Sequence, residues 1–217
     1  MKTAMLEREG FAALMLRLRA EGISNINILT AVEQTPRSRF VVPHLAEHAY
    51  SSRSIPIDCG AYMEGADLAV RLIERLRVEP THRVLEVGTG SGFMTAVLGR
   101  LAERVVSIER YRTLVAEAQV RLDNFGLRNV VLRHGDGSGG LPGEGTFDRI
   151  IVTGAFPAIP RAFTEQLVHN GVLLAPIMLD DERCVMVRLT RTGSRFDRED
   201  LFEVPYLPLV PRIAAFL

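Results

Sequence analysis

The run Arg83-Val84-Leu85-Glu86-Val87-Gly88-Thr89-Gly90-Ser91-Gly92 constrains what this chain can fold into more than any other stretch. A short apolar strand ends in an acid, glycine then takes every second position, and a helix is expected from about Ser91. Glycines there let the main chain turn tightly and let a ligand approach backbone atoms that a Cβ would shield. The dinucleotide fingerprint G-x-G-x-x-G/A is not met, because Phe93 stands where a small residue is required.

The rest of the chain agrees with a strand–turn–helix beginning. Strand-like runs at residues 83–87, 104–108, 130–133, 149–152, 172–176 and 184–189 alternate with helical stretches at 92–101, 113–125 and 161–169. Short apolar strands alternating with helices predict a mostly parallel sheet covered on both faces. Upstream, Phe11, Leu14, Met15 and Leu18 fall at helical spacing and predict a helix over 6–19. Ser24 or Asn25 is placed to cap a second helix reaching Gln34, which Thr35-Pro36-Arg37 breaks. Residues 41–57 read as irregular. A third helix is expected over 61–76, with Leu68, Leu72 and Leu76 on one stripe. The reading is one α/β unit with an N-terminal helical cap (1–78) ahead of a Rossmann-like core (79–217).

Lys plus Arg and Asp plus Glu both number 26, so no broad basic surface for nucleic acid is indicated. No apolar run is long enough to span a membrane, and Glu7 and Glu9 sit where a signal peptide needs an apolar core. Cys59 and Cys184 have no metal-like spacing, and His44, Glu47 and His48 lack a further ligand nearby. A cytoplasmic protein without a structural metal is expected.

In open parallel sheets, ligands bind beyond the carboxyl ends of the strands. Acids end three consecutive strands here: Glu86, Glu109 and Asp136 in Gly135-Asp136-Gly137. Glu109 lies 23 residues past Glu86, close to the spacing at which an acid accepts both ribose hydroxyls. Each alone reads as a solvated strand-end acid; together, in register with the glycine turn, they read as a cofactor site.

Glu-x-Gly-x-Gly-x-Gly resembles the cofactor turn of class I S-adenosylmethionine-dependent methyltransferases. The resemblance becomes specific beyond it. Residues 84–97, His134-Gly135-Asp136-Gly137, Phe147 to Ala155 with Pro157 and Pro160, and Gln166-Leu167 with Gly171 and Ala175-Pro176 are similar to protein-L-isoaspartate (D-aspartate) O-methyltransferases. So are Gly22-Ile23, Pro36-Arg37, Phe40-Val41, Ala49-Tyr50 and Ile55-Pro56-Ile57, and Val204 to Val210 resembles the family's closing strand. The resemblance implies a three-layer, Rossmann-like fold. It also implies S-adenosylmethionine held by Glu86, Gly88, Thr89, Gly90, Ser91, Gly92, Glu109, Arg110, Asp136, Gly137 and Thr153, with Glu109 on the ribose and Asp136 near the adenine. The implied partner is a protein or peptide carrying isoaspartyl residues, whose carboxylate becomes a labile methyl ester that collapses to a succinimide and so begins repair.

One segment departs from the family. Where its members usually carry Gly-Gln-Thr-Ile-Ser, this chain has Gly60-Ala61-Tyr62-Met63-Glu64. The resemblance makes Ile57, Cys59, Gly60, Ala61 and Met63 substrate-side residues, and makes Tyr62 and Glu64 the candidate catalytic pair. A second carboxylate about 4 Å from the acceptor would cost roughly 4 kcal/mol at an effective dielectric near 20. Screening by Arg and the sulfonium, a proton on Glu64, or a side chain turned away would relieve this. So would a different acceptor, with Glu64 as base or cation partner. Two readings therefore stand beside isoaspartyl methylation: a methyltransferase for another small-molecule or peptide acceptor, and an adaptor that binds the cofactor without turnover.

Overall fold

The computed structural model describes residues 2–180 and 183–215; Met1 and Leu217, the outer ends of the expected segments, lie outside that range. Helices α1 (Lys2–Ala20) and α2 (Ile26–Glu33) open the chain. Asn25 caps α2, accepting the amides of Asn27 and Ile28 at 3.0 and 3.3 Å, which satisfies two otherwise free N–H groups of the first turn. Short 3-10 turns follow at Arg37–Phe40 and Pro43–His48. An antiparallel pair, β1 (Ile55–Pro56) and β2 (Tyr62–Met63), then precedes α3 (Ala66–Leu76).

The expected third helix began too early. Cys59 and Gly60 take left-handed φ values of 62° and 67°, which reverse the chain and set Ile55 opposite Met63. A Cβ on Gly65 would lie 2.0 Å from the Ser52 carbonyl oxygen, and the Ala66 amide donates to Ser51 O at 2.9 Å. Close backbone contact therefore holds residues 61–65 extended, and Glu64 lies before the helix instead of in its first turn.

The remaining elements are β3 (Arg83–Val87), α4 (Phe93–Leu101), β4 (Arg104–Glu109), α5 (Arg112–Asn124), β5 (Val130–His134), β6 (Phe147–Val152), α6 (Arg161–Glu165), β7 (Leu167–Met178), β8 (Cys184–Thr192) and β9 (Arg195–Val204). They form one seven-stranded sheet in the order β5-β4-β3-β6-β7-β8-β9. Strands β3 to β7 are parallel, and β8 and β9 run antiparallel. The expected helix over 161–169 stops at Glu165, because Leu167 already pairs with Phe147. Strand β9 was not expected from the sequence: it is an edge strand with most of its side chains in water, so no apolar alternation marks it. Of the segment read as a closing strand, 204–210, only Val204 belongs to β9, and 205–210 lies beyond it.

One core lies between the sheet and the N-terminal helices, joining Leu14, Leu18, Ile73, Leu98 and Leu174. The second, on the opposite face, gathers Phe147, Phe163, Leu173 and Val187 under α6, with Leu141, Ile159 and Leu209 packed against it. Helix α3 contacts β6 and β7 directly, whereas α1 rests on α3 and α2 on α3 and α4. Phe40 ties this layer together: its ring meets Phe93 edge-on at 5.5 Å and stacks on Phe125 at 5.4 Å. Among the described residues no helix is long and apolar enough to cross a membrane.

Phe40 is fully buried, and replacing it by alanine is expected to cost about 3–5 kcal/mol. In urea titrations this appears as a lower midpoint with an unchanged slope. A loss under about 1 kcal/mol would mean that the N-terminal layer does not share the cooperative core.

Candidate active site

The order of the strands reverses at β3, which has β4 on one side and β6 on the other. The connections leaving these strands diverge there and open a crevice at their carboxyl ends. A cavity of about 480 Å³ occupies it, within the size range of small-molecule and cofactor sites. Its walls come from residues 86–91 after β3, 108–111 after β4, Asp136 and Gly137 after β5, Thr153 and Gly154 after β6, the loop 59–64, and the segment 205–210 after β9.

The glycine turn fits this place for a steric reason. Gly88 has φ 98°, and a Cβ there would fall 2.2 Å from Thr153 Oγ1. That hydroxyl donates to the carbonyls of Val87 and Gly88 at 3.1 and 3.2 Å, tying the end of β3 to the end of β6. Gly90, with φ 52°, faces open space apart from Ile57.

Two strand-end acids are held by main-chain amides. Glu109 accepts from Gly90 and Tyr111, both at 3.1 Å. Asp136 accepts from Ser138 at 2.8 Å and from Arg212 at 2.6 Å. Partial burial works to raise Asp136, but these hydrogen bonds and nearby Arg110 leave its carboxyl below the ordinary range. Each carboxylate keeps further lone pairs for a ligand.

Glu86 behaves differently. It is fully buried, faces α4, and pairs in register with Ser107 of β4. Burial pushes its carboxyl up to about 8, although the hydroxyls of Ser107 and Thr95 oppose the shift. Thr95 hydrogen-bonds Oε2, while Oε1 has no partner. Glu86 is therefore not the solvated strand-end acid that it would be if read alone.

On the opposite wall, Cys59, Gly60, Ala61, Tyr62, Met63 and Glu64 all line the cavity. Tyr62 stands at the mouth with 62% of its surface exposed. The Ser91 hydroxyl donates to Met63 Sδ at 2.9 Å, joining this wall to the glycine turn. Arg37, which the sequence reading did not single out, lies behind it. The guanidinium is fully buried, donates from Nε to Ala49 O at 2.7 Å and from Nη2 to Glu64 O, and sits 4.4 Å from the Phe93 ring centroid. Burial lowers its pKa to about 10, so it stays cationic at neutral pH. Burial also raises Glu64, against the pull of Arg37.

Gly92 and Ile57 do not line the cavity. Gly92, with φ 86°, is the N-cap of α4 and leaves room for Ala118 of α5; Ile57 packs from the side against the core. His134 places a ring nitrogen 3.2 Å from Arg110 O and is not part of the wall. The sequence reading also missed the wall made by residues 205–210. That segment is stitched across the strand ends: Ala155 N donates to Leu207 O at 2.9 Å, Leu209 N to Ala155 O at 2.8 Å, and Ala214 N to Arg110 O at 3.1 Å. The run Pro205-Tyr206-Leu207-Pro208 was its only signal, since two prolines bar a central strand.

The state of Glu86 has a measurable consequence. Its folded value of about 8 lies above the ordinary 4.5, so the folded chain keeps a proton that the unfolded chain releases between those values. The stability from that proton is complete below the lower value and is lost as pH rises through the upper one. Comparing urea unfolding of wild type and Glu86→Gln, the wild-type advantage is expected to shrink steadily over that window and to level off above it. A pH-independent difference would place an ionised Glu86 in the core.

Comparison with known proteins agrees with this architecture. Residues 9–214 match the family model of Protein-L-isoaspartate(D-aspartate) O-methyltransferase. A Rhizobium meliloti protein-L-isoaspartate O-methyltransferase is 59% identical over 204 residues, covering 94% of this chain and 100% of the relative. An Azorhizobium caulinodans protein of the same name is 44% identical over 97% of each chain. A Plasmodium falciparum protein-L-isoaspartate O-methyltransferase structure, solved with S-adenosyl-L-homocysteine, superposes with a TM-score of 0.77 at 22% identity, over 91% of this chain and 97% of that one. A second structure of that name reaches a TM-score of 0.81 at 23% identity, over 94% of this chain and 67% of the other. These two establish the fold, a class I methyltransferase sandwich, and the sequence matches establish more: the chain belongs to the protein-L-isoaspartate (D-aspartate) O-methyltransferase family.

Proposed function

We propose that the cavity seats S-adenosylmethionine along the carboxyl ends of β3, β4 and β5, and that the acceptor enters between the loop 59–64 and the segment 205–210. The observation that carries this reading is the pair of amide-anchored carboxylates, Glu109 and Asp136, at the successive ends of β4 and β5 beside the glycine turn that follows β3. Their anchored oxygens suit the hydroxyls of a ribose and an adenine amino group. The buried, unpartnered Oε1 of Glu86 suits the ammonium of an amino-acid tail, whose charge would return this carboxyl to its anion. Gly88 and Gly90 admit the ligand against the main chain, and Thr153 keeps the β3–β6 gap closed beneath it.

The enzyme is an S-adenosylmethionine-dependent methyltransferase of protein repair, acting on the carboxylate of isoaspartyl residues. When bound, the cofactor would supply an electrophilic methyl group carried on a sulfonium sulfur. The acceptor is already ionised at neutral pH, its reference pKa being about 4, so the chain needs no general base. Its work is orientation, which alone can supply roughly 7–11 kcal/mol. Tyr62 at the mouth and Glu64 in the wall face the incoming acceptor, and Arg37 fixes the backbone that carries Glu64. A relative of the same name at 59% identity weighs against an adaptor and against an unrelated acceptor. Both cysteines are unpaired, which fits a cytoplasmic location.

With labelled donor, methyl transfer to an isoaspartyl peptide and not to its aspartyl isomer is the expected result; equal labelling of both, or of neither, overturns the reading. Glu109→Ala removes charged hydrogen-bond acceptors each worth about 1.5–3 kcal/mol. Calorimetry should therefore show cofactor affinity reduced roughly tenfold to a hundredfold, alongside a lower melting temperature in the absence of cofactor, because the amides of Gly90 and Tyr111 lose their acceptor. Undiminished affinity would move the ribose elsewhere.

A further inference from the structure

Glu64 is the part of the acceptor wall whose charge opposes the reaction, and its surroundings leave it short of compensation. Its main chain is fixed by Arg37 Nη2 on its carbonyl oxygen, and its side chain lines the cavity. Among the described residues, no neighbouring side chain forms a hydrogen bond or an ion pair with its carboxyl. Three charged or titratable groups face it: Arg37 from the turn before Phe40, Glu86 from β3 and Tyr206 from the segment after β9. Without cofactor Glu86 is neutral below about 8, and with it the Glu86 anion would be matched by the cofactor's ammonium; burial together with Glu64 and Glu86 keeps the Tyr206 phenol un-ionised. Arg37 is thus the single cation among the three, and its Nη1 reaches no acceptor.

An isoaspartyl carboxylate entering this wall sets two anions against one guanidinium that touches neither side chain and against the cofactor's sulfonium, which answers only one of them. Left ionised at about 4 Å, the pair would weaken binding roughly a thousandfold. Two carboxyl groups at that separation resolve the conflict by holding one proton between them. We propose that Glu64 is a positioning residue that carries a proton when the acceptor binds and donates it as a hydrogen bond to the isoaspartyl carboxylate. The inference rests on the isoaspartyl carboxylate being the acceptor. The proton is not consumed. One acceptor oxygen forms the bond to the methyl carbon as the carbon–sulfur pair leaves with sulfur, while the proton stays on Glu64 and faces the other oxygen, a carboxylate oxygen before transfer and an ester carbonyl after it.

Activity then follows the protonated fraction of Glu64. The test measures kcat/KM on an isoaspartyl peptide from about pH 6 to pH 9, counting ester plus released methanol, for wild type, Glu64→Gln, Glu64→Ala and Glu86→Gln. Cofactor affinity and melting temperature are measured alongside, to show that each variant is folded and loaded. Wild-type kcat/KM is expected to fall along an alkaline limb approaching tenfold per pH unit. Glu64→Gln, a donor that cannot ionise, should retain at least about a tenth of the pH 6 value, lose the limb, and exceed wild type at pH 9. Glu64→Ala should be depressed at every pH, chiefly through KM, and Glu86→Gln should keep the limb. A flat wild-type profile, a limb that survives in Glu64→Gln but vanishes in Glu86→Gln, or Glu64→Gln as weak as Glu64→Ala overturns the role of Glu64 while leaving the reaction intact. Cofactor binding with no transfer by any form, wild type included, overturns the isoaspartyl assignment and this proposal with it.

Discussion

The parallel pairing of β3 between β4 and β6 is the constraint on which the rest of the molecule depends. Val87 stands opposite Ile108 on one side and Val152 on the other, so three strand ends arrive level with one another. A level edge turns the residues that follow each strand into walls of a single cavity. Gly88 and Thr153 secure that edge, one by lacking a side chain and the other by bonding into the space this leaves. The antiparallel β8 and β9 add no residues of their own to the crevice; they return the chain so that residues 205–210 close it.

The acids around the cavity divide by how they are solvated. Glu109 and Asp136 are wrapped by backbone amides, which replace lost water and support the anion. Glu86 and Glu64 lie deeper, where burial outweighs the help from hydroxyls or Arg37 and raises both carboxyls, that of Glu86 to about 8. The outer end of the site is thus built of fixed anions suited to hydroxyl and amino donors. The inner end is built of carboxyls that burial raises. Arg37 makes the inner end tenable: two backbone carbonyls and the face of Phe93 accept its guanidinium, so a charge deep in the protein is compensated without neutralising Glu64.

The sequence located the strands that matter because each is an apolar run bounded by turn residues. It also placed Glu109, Asp136 and the glycine turn at strand ends, where the fold uses them. It failed where local pattern and tertiary contact disagree. The stripe of Leu68, Leu72 and Leu76 invited a helix from Ala61, but the Ser52 carbonyl pressing on Gly65 stops it at Ala66. The charged edge strand Arg195–Val204 carries no burial signal, and the wall at 205–210 has no local pattern that distinguishes it from a loop.

What the sequence by itself determined is the succession of strands and helices from β3 to β8, the glycine turn after β3, and the exchange of a hydroxyl for a carboxylate at Glu64. These follow from residue type and spacing, which act over a few neighbours along the chain. Only the tertiary structure decided that Glu86 is buried with its carboxyl raised to about 8, that Arg37 braces the loop 59–64 from inside, and that Gly92 serves helix packing instead of the cavity wall. Those properties depend on solvent exclusion and on partners far away in sequence, and dielectric environment is a property of the packed molecule that no local pattern encodes.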